Sequence, residues 1–314
     1  MSDDANSGAR VHWIDVARGI GIVLVVFGHA LRGLMTSGDV ISLGWMDVDY
    51  VVYTFHMPLF MLLAGMNVPR SLERPGFLRK KLQGIAWPYF LWSIIHGVLM
   101  IGAASAINGG MNLGRLLEIP YNPISPFWFL YVLFLYMVLV TIWRPGIGLL
   151  TLAVVLFVVS PIVNQTTAQQ FCYFMLFFVA GCIMKIPNWP RALLFGGGVA
   201  FTVGLGLVFV LGLHEIISFY APGLLPIAAA GIAMICGAAM ILRNSRFLQF
   251  LGRMSMAIYV MHVVFTAGSR MILHRIGLEN EVAMVAASTL IGVSGPIAGY
   301  YALRMARLSK LAGL

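Results

Sequence analysis

An arginine and a histidine eleven residues apart, Arg18 and His29, share one apolar segment, WIDVARGIGIVLVVFGHALRGL at 13–34. On an α-helix that spacing is close to three whole turns, so the two side chains point within about 20° of each other and lie about 16 Å apart along the axis. Asp15 and Arg32 project from nearly the same face. A charged group in hydrocarbon costs at least about 2.5–3.5 kcal/mol on insertion scales. Four ionisable residues on one stripe therefore need a polar interior to face, unless those nearest the two ends only snorkel to the interface. A guanidinium can hold a phosphate or carboxylate, and an imidazole is the side chain best suited to exchange a proton near neutrality. The stripe reads as a functional path across a membrane.

Three further histidines fall in apolar segments: His56 in TFHMPLFMLLAG, His96, and His262 in SMAIYVMHVVF. His96 and His262 are equally compatible with a structural role as interhelical hydrogen-bonders. Pro58, two residues after His56, frees a backbone carbonyl that is a candidate partner for that ring. Other chemistries fit less well. No HxxxH or HxxE pair lies within a span and the carboxylates fall mostly in loops, so no metal site is expected. There is no GxSxG for a serine nucleophile. Cys172, Cys182 and Cys236 all sit in apolar segments and are expected to pack as small buried residues. The glycines of FGGGVAFTVGLGL follow no soluble βαβ strand and point to close helix packing.

The elements that must hold these residues follow from composition. Apolar residues make up 60% of the 314, charged residues 10%, and mean hydropathy is +0.92. Ordinary soluble domains carry about 25% charged residues, so this chain is expected to be an all-α, polytopic membrane bundle. Hydropathy predicts about ten spans, near 13–34, 49–69, 83–106, 127–143, 147–163, 171–186, 192–213, 221–242, 254–273 and 282–303, with those at 147–163 and 171–186 the weakest. The expected organisation is a short cytoplasmic tail (1–12), one membrane domain (13–303) and a basic cytoplasmic tail (304–314), with no cleavable signal peptide. With both termini cytoplasmic, fifteen of the twenty Lys and Arg residues fall on the inner side, as the positive-inside bias requires. The net charge of +9 is then an inner-face property and needs no nucleic acid to explain it.

In this topology Arg18 is near the cytoplasmic mouth and His29 in the outer half of the first span. The loop RSLERPGFLRKKLQG adds Arg79, Lys80 and Lys81 to the inner side. Those cations either anchor to anionic lipid or form a docking surface for a polyanionic cytosolic ligand. Trp128, in SPFWFL near the outer interface, is either an aromatic-belt anchor or a platform for a sugar ring. A basic cytoplasmic mouth joined to an outer imidazole suits a donor that keeps its phosphates on the inner side while a thin arm carries its reactive group towards the histidine. Acyl-coenzyme A is such a molecule, and a neutral His29 would take a proton from an acceptor hydroxyl as it attacks the thioester. The geometry permits this mechanism without selecting it.

The residues add a resemblance. WIDVARGIGIVLVVFGHALRG resembles the first span of the acyltransferase 3 family, with its acid-x-x-Arg-Gly opening and Arg-x10-His spacing, and is most similar to the fucose 4-O-acetylase-like branch. FHMPLFMLLAGM, RKKLQGIAWPYFLW, PFWFLYVLFL and LGRMSMAIYVMHVVF follow in family order. The resemblance implies about ten membrane helices, an acyl-coenzyme A donor (usually acetyl-CoA), no metal, and transfer to a hydroxyl of a bacterial glycan or glycolipid at the cytoplasmic membrane. It makes His29 catalytic, with Asp15 and His56 assisting, and Arg18 donor-contacting together with Arg79, Lys80 and Lys81. Trp128 and Arg32 fall on the acceptor side. Many relatives carry Arg-x-x-Arg in the inner loop, where this chain has Arg79-Lys80-Lys81-Leu82. The larger members' extracytoplasmic hydrolase-like domain has no counterpart, so a stand-alone membrane form is expected.

From another class, a transporter or flippase would use the same stripe as a proton or substrate path. Two similar halves with broken midspan helices would favour it, and no such symmetry is visible. A non-catalytic scaffold for polysaccharide assembly would leave four buried histidines unexplained.

Overall fold

A computed structural model describes residues 11–38, 42–102, 113–124 and 126–314. All but the end of the expected 1–12 tail, and the last residues of the expected third span (103–106), lie outside the described residues. The architecture is all-helical, with no β-strand among the described residues. In chain order the α-helices are α1 (His12–Ser37), α2 (Leu43–Gly65), α3 (Val68–Leu72), α4 (Phe77–Lys81), α5 (Trp87–Gly102), α6 (Leu113–Leu117) and α7 (Trp128–Ile142). They continue as α8 (Ile147–Val159), α9 (Thr166–Ile183), α10 (Pro190–Val210), α11 (Leu225–Ile241), α12 (Arg246–Arg253), α13 (Ser255–Arg275) and α14 (Glu281–Met305).

Among the described residues eight helical runs are long and apolar enough to cross a membrane, and two shorter apolar helices, 128–142 and 147–162, make ten in the expected order. The starts differ from expectation in three places, and the second span begins at Leu43 where 49 was expected. The sixth expected span, among the weakest by hydropathy, is an 18-residue helix that begins earlier, at Thr166, because Gln165 caps it by accepting from the Ala168 amide. The fourth and fifth are short: α7 has 15 residues, a rise of about 22 Å against about 30 Å of hydrocarbon, and α8 has 13. The third run begins at Phe77, six residues before expectation. There α4 continues into α5 through Leu82–Ala86, which is wound as π-helix. The residues after α14 do not trail away. Trp87 and Trp92 donate their indole N–H groups to the carbonyls of Leu311 and Ala312, at 2.7 and 3.0 Å.

What positions the site is the burial of α1. Its polar stripe is enclosed by α2, α11, α12, α13 and α14. The first turns of α1 lie backbone to backbone against α12, a short amphipathic helix capped by Ser245. Two glycines permit this. A Cβ at Gly19 would meet the Leu248 carbonyl oxygen at 2.2 Å, and one at Gly252 would meet the Asp15 carbonyl oxygen at 1.8 Å. No side chain larger than hydrogen fits either place, and the contact carries Arg253 to the Arg18 end of α1. Further along, Gly28 gives the Tyr53 ring its place, since a Cβ there would come within 2.9 Å of it. The residue before His29 is thus kept bare so that α2 can wall the site.

Gly252→Ala should therefore force α12 away from α1, at a cost of about 1–3 kcal/mol as for other overpacked interiors. The check is thermal melting of the detergent-purified protein. Gly206→Ala, which would meet nothing within 4 Å, should leave the melting temperature unchanged.

Candidate functional site

Two cavities lie along the inward face of α1, and they share three lining residues. The first, about 310 Å³, contains Arg18 and is walled mainly by Ile22, Phe60, Phe129, Leu130 and Leu133, with Arg253 and Ser255 from α12 and α13 at its polar edge. The second, about 620 Å³, contains His29 and Arg32 and has a more polar lining. Val25, Met57 and Tyr259 border both and are themselves buried. Arg18 and His29 each keep partial exposure, as side chains that face internal space do. The two stripe residues thus face adjoining cavities that share three lining side chains.

At the Arg18 end, Asp15 is buried, with its backbone beneath Gly252. The Lys81 ammonium is within Coulombic range of the Arg18 guanidinium, 5.2 Å from the centre of the Phe77 ring. Lys81 ends α4 and abuts the π-wound turn. None of the three loop cations lines either cavity, and Arg79 and Lys80 are exposed on α4 where Lys81 is part-buried. Of the three loop cations only Lys81 approaches Arg18, because one face of that helix turns inward. Arg253, counted from sequence only as an inner-side cation, joins them through the α1–α12 contact. Arg18, Lys81 and Arg253 form a cationic mouth that suits polyphosphate.

At the His29 end, Arg32 is clamped on two sides. Asp49 accepts from its Nε at 2.9 Å and from its Nη2 at 2.8 Å, and the guanidinium lies over the Tyr53 ring, 3.2 Å from its centre. The Arg32 side chain nevertheless keeps 37% exposure, towards the cavity. Trp128 lines the same space and stacks on Phe174, with ring centres 5.2 Å apart at 28°. The facing wall carries Asn122, Gln165, Thr167 and Gln170. Tyr220, outside the spans, joins it, and burial pushes its phenol well above the ordinary tyrosine range. That phenol keeps its proton at any physiological pH and is available as a donor.

His56 lies behind this wall, lining neither cavity. Its Nδ1–H donates to the Val52 carbonyl at 2.7 Å, and its ring meets Tyr53 edge-on at 4.5 Å. The carbonyl freed by Pro58 is that of Thr54, so the ring does not use the partner expected from sequence. His96 donates through Nε2 to the Val260 carbonyl on α13 at 3.1 Å, the structural interhelical role. His262 stands closer to the site, its ring centre 4.9 Å from that of His29. Among the described residues no three His, Cys, Asp or Glu side chains converge as a metal site would require.

Sequence reasoning had no strong signal for Asp49, Tyr53 or Tyr259. One of two acids, Asp47 and Asp49, at the head of an apolar helix looks like a loop residue, and two tyrosines look like core. The available signals were the Tyr53-x-x-His56 and Tyr259-x-x-His262 spacings, which put each tyrosine and histidine on one helix face.

The profile of the acyltransferase domain family, acyltransferase 3, matches residues 11–301. The chain is similar to nodulation protein NolL of Mesorhizobium japonicum, 24% identical over 203 residues, which cover 62% of this chain and 53% of that protein. It is also similar to nodulation protein NolL of Sinorhizobium fredii, 27% identical over 134 residues, 41% of this chain and 36% of the relative. The matches thus span about half and about a third of those proteins. No solved structure matches the chain.

Asp49→Ala removes the partner of a half-buried guanidinium. The expected loss is about 1.5–3 kcal/mol, the worth of hydrogen bonds to a charged group, read as a fall in melting temperature. Asp47→Ala, whose carboxylate is 48% exposed and only 3.8 Å from His214, should change stability by no more than about 0.5 kcal/mol.

Proposed function

Because the chain belongs to the acyltransferase domain family, we propose that it is an integral membrane O-acyltransferase of the bacterial cytoplasmic membrane. It moves an acyl group, acetyl in the simplest case, from cytosolic acyl-coenzyme A to a hydroxyl of a cell-envelope or exported glycan. One observation carries this reading: two cavities adjoin at Val25, Met57 and Tyr259, one with a cationic mouth and the other with an imidazole on the same helix.

In this reading Arg18, Lys81 and Arg253 hold the donor's phosphates at the cytoplasmic mouth. The Arg18 cavity has room for a narrow chain rather than a nucleotide, and its apolar wall suits a thin thioester-bearing arm. Val25, Met57 and Tyr259 admit the reactive end to the His29 cavity. The acceptor occupies that wider space, where Asn122, Gln165, Thr167 and Gln170 meet sugar hydroxyls and Trp128 offers a ring face. Arg32, fixed by Asp49 and Tyr53, orients the acceptor about one helical turn from His29. His29 takes the hydroxyl proton as the oxygen attacks the thioester carbonyl. A C–O bond forms, the C–S bond breaks, and the proton passes to the departing thiolate. Asp15 supports the cationic mouth from beneath, and His56 supports the Tyr53 wall.

The division of labour predicts two separable losses. His29→Ala should lower kcat by about 10²–10⁴-fold, the usual worth of general base catalysis, with coenzyme A binding intact. Arg18→Ala should weaken coenzyme A binding about tenfold or more, from loss of a charge-assisted bond of about 1.5–3 kcal/mol. Calorimetry with coenzyme A and mass spectrometry of envelope glycans measure the two. Normal glycan acylation in cells carrying His29→Ala would remove His29 as the base.

A further inference from the structure

Two fully buried histidines near His29 have an unpartnered Nε2, His56 and His262, and of these His262 is the one whose ring stands against that of His29 among the described residues; no step above uses it. It lies on α13, 0% exposed, with its ring centre 4.9 Å from that of His29 and the planes inclined at 58°. Its Nδ1 lies 2.6 Å from the Tyr259 carbonyl, an acceptor only, so Nδ1 carries the proton. In the neutral ring Nε2 must then be the lone-pair nitrogen. That Nε2 is buried and has no hydrogen-bond partner among the described residues. A buried polar atom without a partner costs about 1–3 kcal/mol, and such atoms are rare enough to call for an explanation. His96 differs in this respect, for its Nε2 is satisfied by the Val260 carbonyl on α13.

We infer that His262 is the positioning residue for His29, its Nε2 accepting a hydrogen bond from a ring N–H of His29 when the substrates are in place. Rings 4.9 Å apart reach that bond by reorientation within their pockets, and catalytic hydrogen bonds are commonly long before substrate binds. The bond fixes the His29 tautomer, with one nitrogen donating to His262 and the other presenting its lone pair to the acceptor hydroxyl. It also stabilises the imidazolium that forms when His29 takes the proton. The role is that of the third group in a nucleophile–base–orienter relay, filled here by a neutral ring where a carboxylate is more usual. His262 gains no proton over the cycle. The hydroxyl proton passes to His29 and then to the departing thiolate. The charged and titratable groups facing the pair are Arg32 on α1, His56 and Tyr53 on α2, His96 on α5, and Tyr259 on α13 itself.

The inference rests on His29 acting as base, so the experiment includes that residue. The reconstituted full-length protein is given acetyl-CoA and O-acetyl-free glycan extracted from cells lacking it, and thiol release is followed. His262→Leu should lower kcat on the order of 10²-fold with KM for acetyl-CoA within twofold. His262→Gln sets an amide oxygen near the Nε2 position and should restore at least a tenth of the wild-type kcat. A Leu variant with wild-type kcat, or a Gln variant no better than Leu with both eluting as folded monodisperse protein, overturns the inference. Full activity in His29→Ala would instead overturn the base assignment beneath it. Should either His262 variant fail to fold, ¹⁵N-histidine spectra of the wild type with coenzyme A and glycan bound decide the matter. A ¹⁵N–¹⁵N coupling between the two rings across a hydrogen bond is expected, and its absence refutes the bond.

Discussion

The cost of desolvating charge governs this molecule. Helix α1 carries Asp15, Arg18, His29 and Arg32 through a segment otherwise apolar enough to cross a bilayer. In hydrocarbon that stripe would cost several kcal/mol per charge. The fold removes the cost by enclosing α1. Its stripe faces cavities and partners, and the lipid-exposed surface is left to helices such as α10, which has little but apolar residues and glycine to expose. Arg32 shows the principle locally, with Asp49 for its charge and the Tyr53 face for its planar guanidinium. The close α1–α12 approach follows from the same need. A buried carboxylate at Asp15 near Arg18 is sustainable only where backbone, and not lipid, closes over it.

Enclosure does not by itself make a pathway, and the character of the two compartments matters more than their existence. The one at the cationic end is narrow and mostly apolar. The one at the imidazole end is twice as large and lined by amides, hydroxyls and aromatic faces. A pore for one solute would have a similar lining throughout, since the same molecule has to be solvated at both ends. Unlike linings suit two different molecules that approach from opposite ends and meet at a constriction. Val25, Met57 and Tyr259 are buried, bulky side chains at that meeting point. They border both compartments and stand between the Arg18 and His29 ends. Tyr259 is tethered by its hydroxyl to the Pro126 carbonyl, which gives the trio one fixed member beside two more adaptable aliphatic ones.

The fold was largely legible because bilayer crossing writes a strong, local signal. Ten apolar segments read from hydropathy all became helices in the expected order. The errors lay in lengths, where capping and helix continuation act: Gln165 begins α9 early, and the π-wound stretch joins α4 to α5. The site was legible only in part. Arg18 and His29 stood out because a charge in an apolar run is conspicuous and both lie on one helix, so their geometry needs no tertiary knowledge. Arg253 and Tyr53 reach the cavities, and Lys81 and Asp49 reach Arg18 and Arg32, only through interhelical packing, and the Gly19, Gly28 and Gly252 contacts that arrange it resemble any small-residue stripe in a membrane helix. Arg79, Lys80 and Lys81 were indistinguishable in sequence. The helical turn that points Lys81 inward and the other two outward separates them.

Placing a cation and an imidazole on one continuous helix has a consequence of its own. The rise of an α-helix is fixed at about 1.5 Å per residue, so the distance from the mouth to the base does not vary as neighbouring helices shift. In the proposed reading, a donor held at Arg18 presents its reactive carbon at a set depth, and elements that move adjust the surrounding walls, not the span from Arg18 to His29. Sites on helices are more exactly held than sites on loops. Here the ruler is internal to α1, and Gly38 ends the helix within three turns beyond His29. Contact with α12 holds its first turns and contact with Tyr53 holds its outer half, so the ruler is pinned near both of the residues it separates. On that reading reach is set by α1 alone, while selectivity for the proposed acceptor falls to α2, α7, α9 and the segment around Tyr220, which line the wider compartment. Acceptor preference can therefore change through substitutions on those elements without disturbing the distance on which transfer depends.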